Sequence, residues 1–204
     1  LEIIVQERTA ELTKLNKQLQ QEIEERKLTQ KKLSARYLQL QQSLDEIVNA
    51  MSLTLEERDP YTAGHQRRTT DLSLAIAREM GLPDHELKGL QMAGLIHDMG
   101  KISVPGEILS KPGRLNEAEL QLIKRHPQVA YEILNQIDFP WAVDQIVLQH
   151  HEKLDGSGYP QGLSGDQILI ESRILCVADV VETMETHRPY RPSLGRQAAL
   201  EEIS

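Results

Sequence analysis

Histidine and aspartate stand at the ends of apolar runs in this sequence. His97-Asp98 closes GLQMAGLIHDMGK, His150-His151 closes AVDQIVLQHHEK, His126 directly precedes a proline, His65 follows Gly64, and Asp179 lies inside ILCVADVV. One histidine on a helix is ordinarily a hydrogen-bonded core or surface residue, and one buried aspartate ordinarily pairs with an arginine or caps a helix. Adjacent His-Asp and His-His pairs at the ends of apolar helices are different, because they gather several desolvated polar groups, which is costly unless a cation lies among them. Imidazole and carboxylate together suit divalent iron, manganese or zinc.

The elements that must position these groups read as helices throughout. Patterns with the helical period run over about 62–80 (stopped by Gly81), 84–98, 117–125, 127–137, 140–151, 171–186 and from 196 onward. Asn116 with Glu119 three residues later forms a capping-box signature for the third of these. The stretches SVPGEILSKPGRL and DGSGYPQGLSGDQ carry the turn residues and read as loops. GDQILIESRILCV alternates, yet it runs into ADVVETME and is assigned to a helix entry. The fold class is therefore all-α.

Ahead of this lies a different kind of polymer. Glycine and proline are absent before Pro60 and Gly64, and acids and bases balance over residues 1–50, whereas the remainder is acidic. From Thr9 to Glu57 good helix formers predict one long helix. A seam of Leu12, Leu15, Leu19, Ile23, Arg26, Gln30, Leu33, Tyr37, Leu40, Leu44, Ile47 and Met51 alternates spacings of three and four, except for a stutter at Leu19–Ile23. The division expected is a dimeric coiled-coil linker over 1–50, pairing in parallel, and a helical domain over 51–204.

Composition narrows the function. The chain has 204 residues, a formal net charge of -8 and 3% aromatic residues, which argues against a basic, stacking nucleic-acid binder. Mean hydropathy is -0.44 and no apolar run reaches membrane-spanning length. The lone Cys176 cannot form an internal disulfide, and the N-terminal stretch does not read as a signal peptide. A cytoplasmic setting is expected, with a longer parent protein that is free to be membrane-attached.

The segments ERDPYTAGH (57–65), HDMGK (97–101), HHEKLDGSGYP (150–160) and VADVVETMETHRPYR (177–191), in this order, resemble the HD-GYP family of cyclic-di-GMP phosphodiesterases, a branch of the HD metal-dependent phosphohydrolases. The resemblance implies an HD-type helical bundle and metal ligands at His65, His97, Asp98, His126, His150, His151 and Asp179. Asp98 would bridge two ions, with His65, His97 and Asp179 on one and His126, His150 and His151 on the other. Where some members carry a glutamate for a third metal this chain has Tyr61, so two divalent ions are expected, iron first, with manganese or zinc as alternatives.

It implies further that Lys101 contacts the scissile phosphate, that Arg188 and Arg191 hold the other phosphate, and that Gly158, Tyr159 and Pro160 form a pocket wall or a surface for a diguanylate cyclase domain. His85 and His187 have no place in the metal set; His85 reads as a solvated helix-start residue, and His187 adjoins RPYR. The activity implied is hydrolysis of cyclic-di-GMP to pGpG or GMP. The alternatives are cyclic GMP-AMP as substrate, or a catalytically weak dimeric module that binds a cyclic dinucleotide. The segment ERTAELTKLNKQLQQEIEERKLTQKKL resembles linkers that join sensors to output domains in bacterial signalling proteins, two-component systems among them. The family domain usually continues beyond GRQAALEEIS, so a truncated C-terminus is expected.

Overall fold

The computed structural model describes residues 1–58, 64–186 and 193–203. Tyr61, His187, Arg188 and Arg191 lie outside the described residues. The chain divides into two compact units, Leu1–Ile47 and Val48–Ser204.

The first unit is helical from Glu2 onward and belongs to α1 (Glu2–Arg58). This helix begins seven residues earlier than the sequence reading at Thr9, because nothing in EIIVQER breaks a helix and Glu2 sits favourably at its N-terminus. Its surface carries the ion pairs Arg8–Glu11, Arg26–Glu22 and Lys27–Glu24, each worth only about 0.2–0.5 kcal/mol. All of residues 1–47 are exposed in a single chain, including the apolar stripe from Leu12 to Ile47. Among the described residues no helix is long and apolar enough to cross a membrane.

The second unit contains the end of α1 and α2 (His65–Glu79), α3 (Asp84–Ile96), a 3-10 turn (Met99–Ser103), α4 (Gly106–Leu109), α5 (Glu117–Lys124), α6 (His126–Leu134), α7 (Val143–Gln149), a second 3-10 turn (Gly165–Gln167), α8 (Ile170–Glu185) and α9 (Arg196–Glu202). No strand occurs among the described residues. The predicted capping box is present: Glu119 N–H donates to Asn116 Oδ1 at 2.9 Å, and Asn116 N–H donates to Glu119 Oε2 at 2.8 Å. α6 ends earlier than predicted, at Leu134, where Ile137 N–H turns back to the Leu134 carbonyl. α7 starts later, at Val143, because the chain turns tightly after Pro140, with Val143 N–H bonded to the Trp141 carbonyl.

The two segments read as loops contain α4 and the second 3-10 turn. Each is short and opens next to glycine, proline or serine, so local turn chemistry shapes it without any apolar period.

The core is aliphatic. Leu74 and Ala77 of α2, Leu90, Ala93 and Ile96 of α3, Ala130 and Leu134 of α6, Val143, Ile146 and Val147 of α7, and Ile174 and Leu175 of α8 form one buried cluster, joined by Val48 and Met99. α2 packs on α3 and α8, α3 on α7, and α6 on α7 and on the turn Met99–Ser103. This last contact depends on Gly100, where a Cβ would lie 1.8 Å from the His126 carbonyl oxygen.

Candidate metal centre

Five helices deliver the candidate residues to one place. His65 is the first residue of α2, His97 caps α3 and is followed by Asp98, His126 opens α6, His150 caps α7 and is followed by His151, and Asp179 lies in the middle of α8. His65, His97, Asp98, His126 and His150 are all buried.

One local device orients three of the rings. Carbonyls in the last turn of a helix lack an intrahelical partner. The Nδ1–H groups of His97, His126 and His150 each donate to the carbonyl three residues back: Gly94 at 2.8 Å, Ile123 at 2.8 Å and Val147 at 2.5 Å. This fixes the tautomer and leaves each Nε2 with a lone pair directed inward.

The donors fall into two sets that share Asp98. One gathers His65, His97 and Asp98, the other His126, His150 and His151, each with donor atoms within 4.8 Å of one another. Asp98 Oδ2 lies 4.0 Å from His65 Nε2 and 3.7 Å from His97 Nε2, while its Oδ1 lies 3.5 Å from His126 Nε2. Asp179 Oδ1 joins the first set, 3.1 Å from His65 Nε2 and 3.9 Å from His97 Nε2. Lys101 Nζ donates to Asp98 Oδ2 at 2.7 Å, and Gln66 Nε2 donates to the same oxygen at 3.3 Å.

The titration behaviour follows from burial and these neighbours. Burial outweighs the nearby carboxylates and lowers His126 to about 3 and His151 to about 4, and with the neighbouring histidines it holds His150 well below its usual value, so these imidazoles are neutral. Burial alone would lower His65 too, but hydrogen bonds to Asp179 and Glu182 outweigh it and raise the ring to about 9. Burial opposes ionisation of Asp98 and Asp179, yet Lys101 beside the first and His65 beside the second hold both well below the usual carboxylate range.

Two observations show that this donor set fits divalent cations. His97 Nε2 is buried and has no hydrogen-bond partner among the described residues. His126 Nε2 and His150 Nε2 face each other at 3.2 Å with both Nδ1 protons already committed to carbonyls, so two lone pairs oppose one another. A cation in each set would satisfy these nitrogens.

Of the remaining sequence candidates among the described residues, Tyr159 borders this centre. The Tyr159 ring stacks on His151, with centroids 4.8 Å apart, and Tyr159 N–H donates to the His151 carbonyl at 3.1 Å. Gly158 lies so close to the 151–153 backbone that a Cβ would stand 2.4 Å from Lys153 N and 2.5 Å from the Glu152 Cα. His85 is exposed in the first turn of α3 and belongs to neither donor set.

Three residues were not singled out by sequence reasoning. Glu152 is buried and accepts Gln161 N–H at 2.6 Å and Leu163 N–H at 2.9 Å, which ties down the loop after Pro160. Glu182 is buried and accepts His65 Nδ1–H. Arg68 donates to Glu182 through Nε at 2.8 Å and Nη2 at 2.6 Å. The available signals were Glu152 directly after the histidine pair and Glu182 one turn beyond Asp179 on the same helix.

Comparison with known proteins agrees with this geometry. The family model described as "HD domain" matches residues 49–204. The chain is 36% identical to the cyclic di-GMP phosphodiesterase response regulator RpfG of Xanthomonas campestris, over 90% of this chain and 50% of that protein. It is 38% identical to the 3'3'-cGAMP-specific phosphodiesterase 3 of Vibrio cholerae, over 77% of this chain and 34% of that protein. It is also 38% identical to a cyclic di-GMP phosphodiesterase of Thermotoga maritima, over 78% of this chain and 44% of that protein. The chain thus spans between one third and one half of these relatives. Among solved structures, an HDG"Y"P protein of Bdellovibrio bacteriovorus shares the fold with a TM-score of 0.58 at 24% identity, covering 68% of this chain and 44% of that one.

Proposed function

The chain belongs to the HD-domain family, and we propose that it is the catalytic part of a metal-dependent phosphodiesterase that hydrolyses cyclic-di-GMP to pGpG or GMP. The observation that carries this reading is the pair of donor sets sharing Asp98, one carboxylate oxygen facing each. His65, His97 and Asp179 would hold one divalent ion, His126, His150 and His151 a second, and Asp98 both. Iron is the first choice, with manganese or zinc suited to the same donors. Such a pair of ions supplies a nucleophile from water at neutral pH and neutralises phosphoryl oxygens.

The chain's own residues bind and orient the substrate. Lys101 is partly exposed beside Asp98 and, in this reading, moves its ammonium to a non-bridging oxygen of the scissile phosphate. Arg188 and Arg191 would grip the second phosphate, for which planar guanidinium is well shaped. Gly158, Tyr159 and Pro160 would form one wall of the pocket, with Tyr159 holding His151 by stacking. The same loop is also proposed as the contact surface for a diguanylate cyclase domain. The exposed apolar stripe of α1 supports a parallel homodimer that passes a signal to the catalytic part, as in two-component systems.

The relatives named for 3'3'-cGAMP favour a second substrate from the same class. The test is incubation of the chain with each cyclic dinucleotide in the presence of Fe2+, Mn2+ or Zn2+, followed by chromatography of products. Linear pGpG or GMP supports the proposal, and linear products from cyclic GMP-AMP alone would move the substrate. Tight binding without turnover by the metal-loaded chain would replace the enzyme with a receptor.

A further inference from the structure

The imidazoles around the centre are not held alike. His97, His126 and His150 each donate Nδ1–H to a neutral backbone carbonyl, whereas His65 donates to the Glu182 carboxylate. A carboxylate behind a metal-binding histidine raises the basicity of its other nitrogen and fixes the ring.

Glu182 is held firmly enough for that task. It is 6% exposed, and its Oε1 accepts Arg68 Nε at 2.8 Å, Arg68 Nη2 at 2.6 Å and Thr186 Oγ1 at 2.8 Å, which leaves Oε2 directed at His65. Arg68 lies three residues after His65 on α2, and Glu182 three residues after Asp179 on α8. The pair therefore clamps together the two helices that carry His65 and Asp179.

The two sets also differ in charge. The first holds Asp179 and one Asp98 oxygen with Glu182 behind it; the second holds three imidazoles and the other Asp98 oxygen. Resting on the two-metal reading above, we infer that Glu182 and Arg68 are a positioning pair for His65, and that they make the His65 set bind its divalent ion more tightly than the His126 set.

Titration of the metal-free full chain with Co2+, followed by its visible absorption and by calorimetry, tests this. Wild type should show two separate steps. Glu182→Gln keeps the shape but removes the charge, and should weaken the tighter step about 10–100-fold while leaving the weaker one in place. Arg68→Gln should weaken the same step by a smaller factor. Glu185→Gln, which removes an acid from the same helix where it pairs with Arg196 at the surface, should change neither.

A merely structural role for Glu182 would weaken both steps together and would overturn the inference. So would unchanged titration of Glu182→Gln, or two indistinguishable steps in wild type. Failure of wild type to bind any Co2+ would instead overturn the two-metal reading itself. Circular dichroism of the metal-free variants checks folding. If Glu182→Gln does not fold, Arg68→Gln, at a position that is half exposed, decides by the same outcomes.

Discussion

Gly100→Ala tests the packing that places Asp98 and Lys101. The added Cβ would stand 1.8 Å from the His126 carbonyl oxygen, 2.7 Å from its carbonyl carbon and 2.8 Å from Ala130 N, all backbone atoms that cannot swing aside. An ordinary carbon–oxygen contact is about 3.3 Å, so the turn Met99–Ser103 and the start of α6 must separate by about 1.5 Å. Overpacking of this kind costs about 1–3 kcal/mol, and with backbone on both sides the upper end applies. At about 2–4 °C per kcal/mol for a chain of this size, the melting midpoint should fall by about 6–12 °C. Fluorescence of Trp141, the single tryptophan, reports on the unit concerned.

Separation also moves Asp98 away from His126, and an error of about 1 Å in a catalytic group costs about 100-fold in turnover. Gly106→Ala is the matched control: nothing lies within 4 Å of its Cβ position, so it should be neutral or stabilise by about 0.4–1 kcal/mol. A Gly100→Ala protein that melts and turns over like wild type would refute the placement of the turn against His126.

Further outcomes follow from single contacts. His126→Ala should remove one of two ions by elemental analysis and nearly all hydrolysis, whereas His85→Ala should do neither. Asn116→Ala removes the cap of α5 and should cost about 1 kcal/mol, read as a lower urea midpoint at unchanged slope. Burial, aided by Asp179, raises the Cys176 thiol from 9.0 to about 11, so at pH 8 its thiolate fraction is about 100-fold below that of an unperturbed thiol. Alkylation by iodoacetamide should be slower by that factor and rise about tenfold per pH unit up to pH 10; a rate matching free cysteine would contradict the burial.

Apart from α4, the helices of the second unit were legible in the sequence because their apolar periodicity and the glycine, proline or capping residues near their ends mark them. The 3-10 turn at Met99–Ser103 was not. It is specified by the absence of a side chain at Gly100 and by a neighbour far away in sequence, so no local period reveals it. The adjacent His97-Asp98 and His150-His151 pairs were legible because polar residues at the ends of apolar runs are conspicuous. Glu182 and Arg68 were not, since an acid and a base on separate helices look like solvated surface residues until α2 and α8 are brought together.

The helix ends do two tasks at once. A histidine at the C-terminal end of a helix supplies the donor that the last carbonyls lack, and that same bond forces the other nitrogen to present a lone pair. His97 and His150 after α3 and α7, and His126 just beyond α5, are held this way around Asp98 and turn unprotonated nitrogens inward, with His126 and His150 approaching to 3.2 Å. Charge compensation is then unequal by construction, because both aspartates lie within 4.0 Å of His65 and His97, whereas in the other set Asp98 Oδ1 approaches His126 at 3.5 Å. The fold thereby couples helix termination to the donor geometry: moving the end of α7 by one residue would displace both His150 and His151 and leave the second set with only His126 and the Asp98 oxygen, with the first set intact.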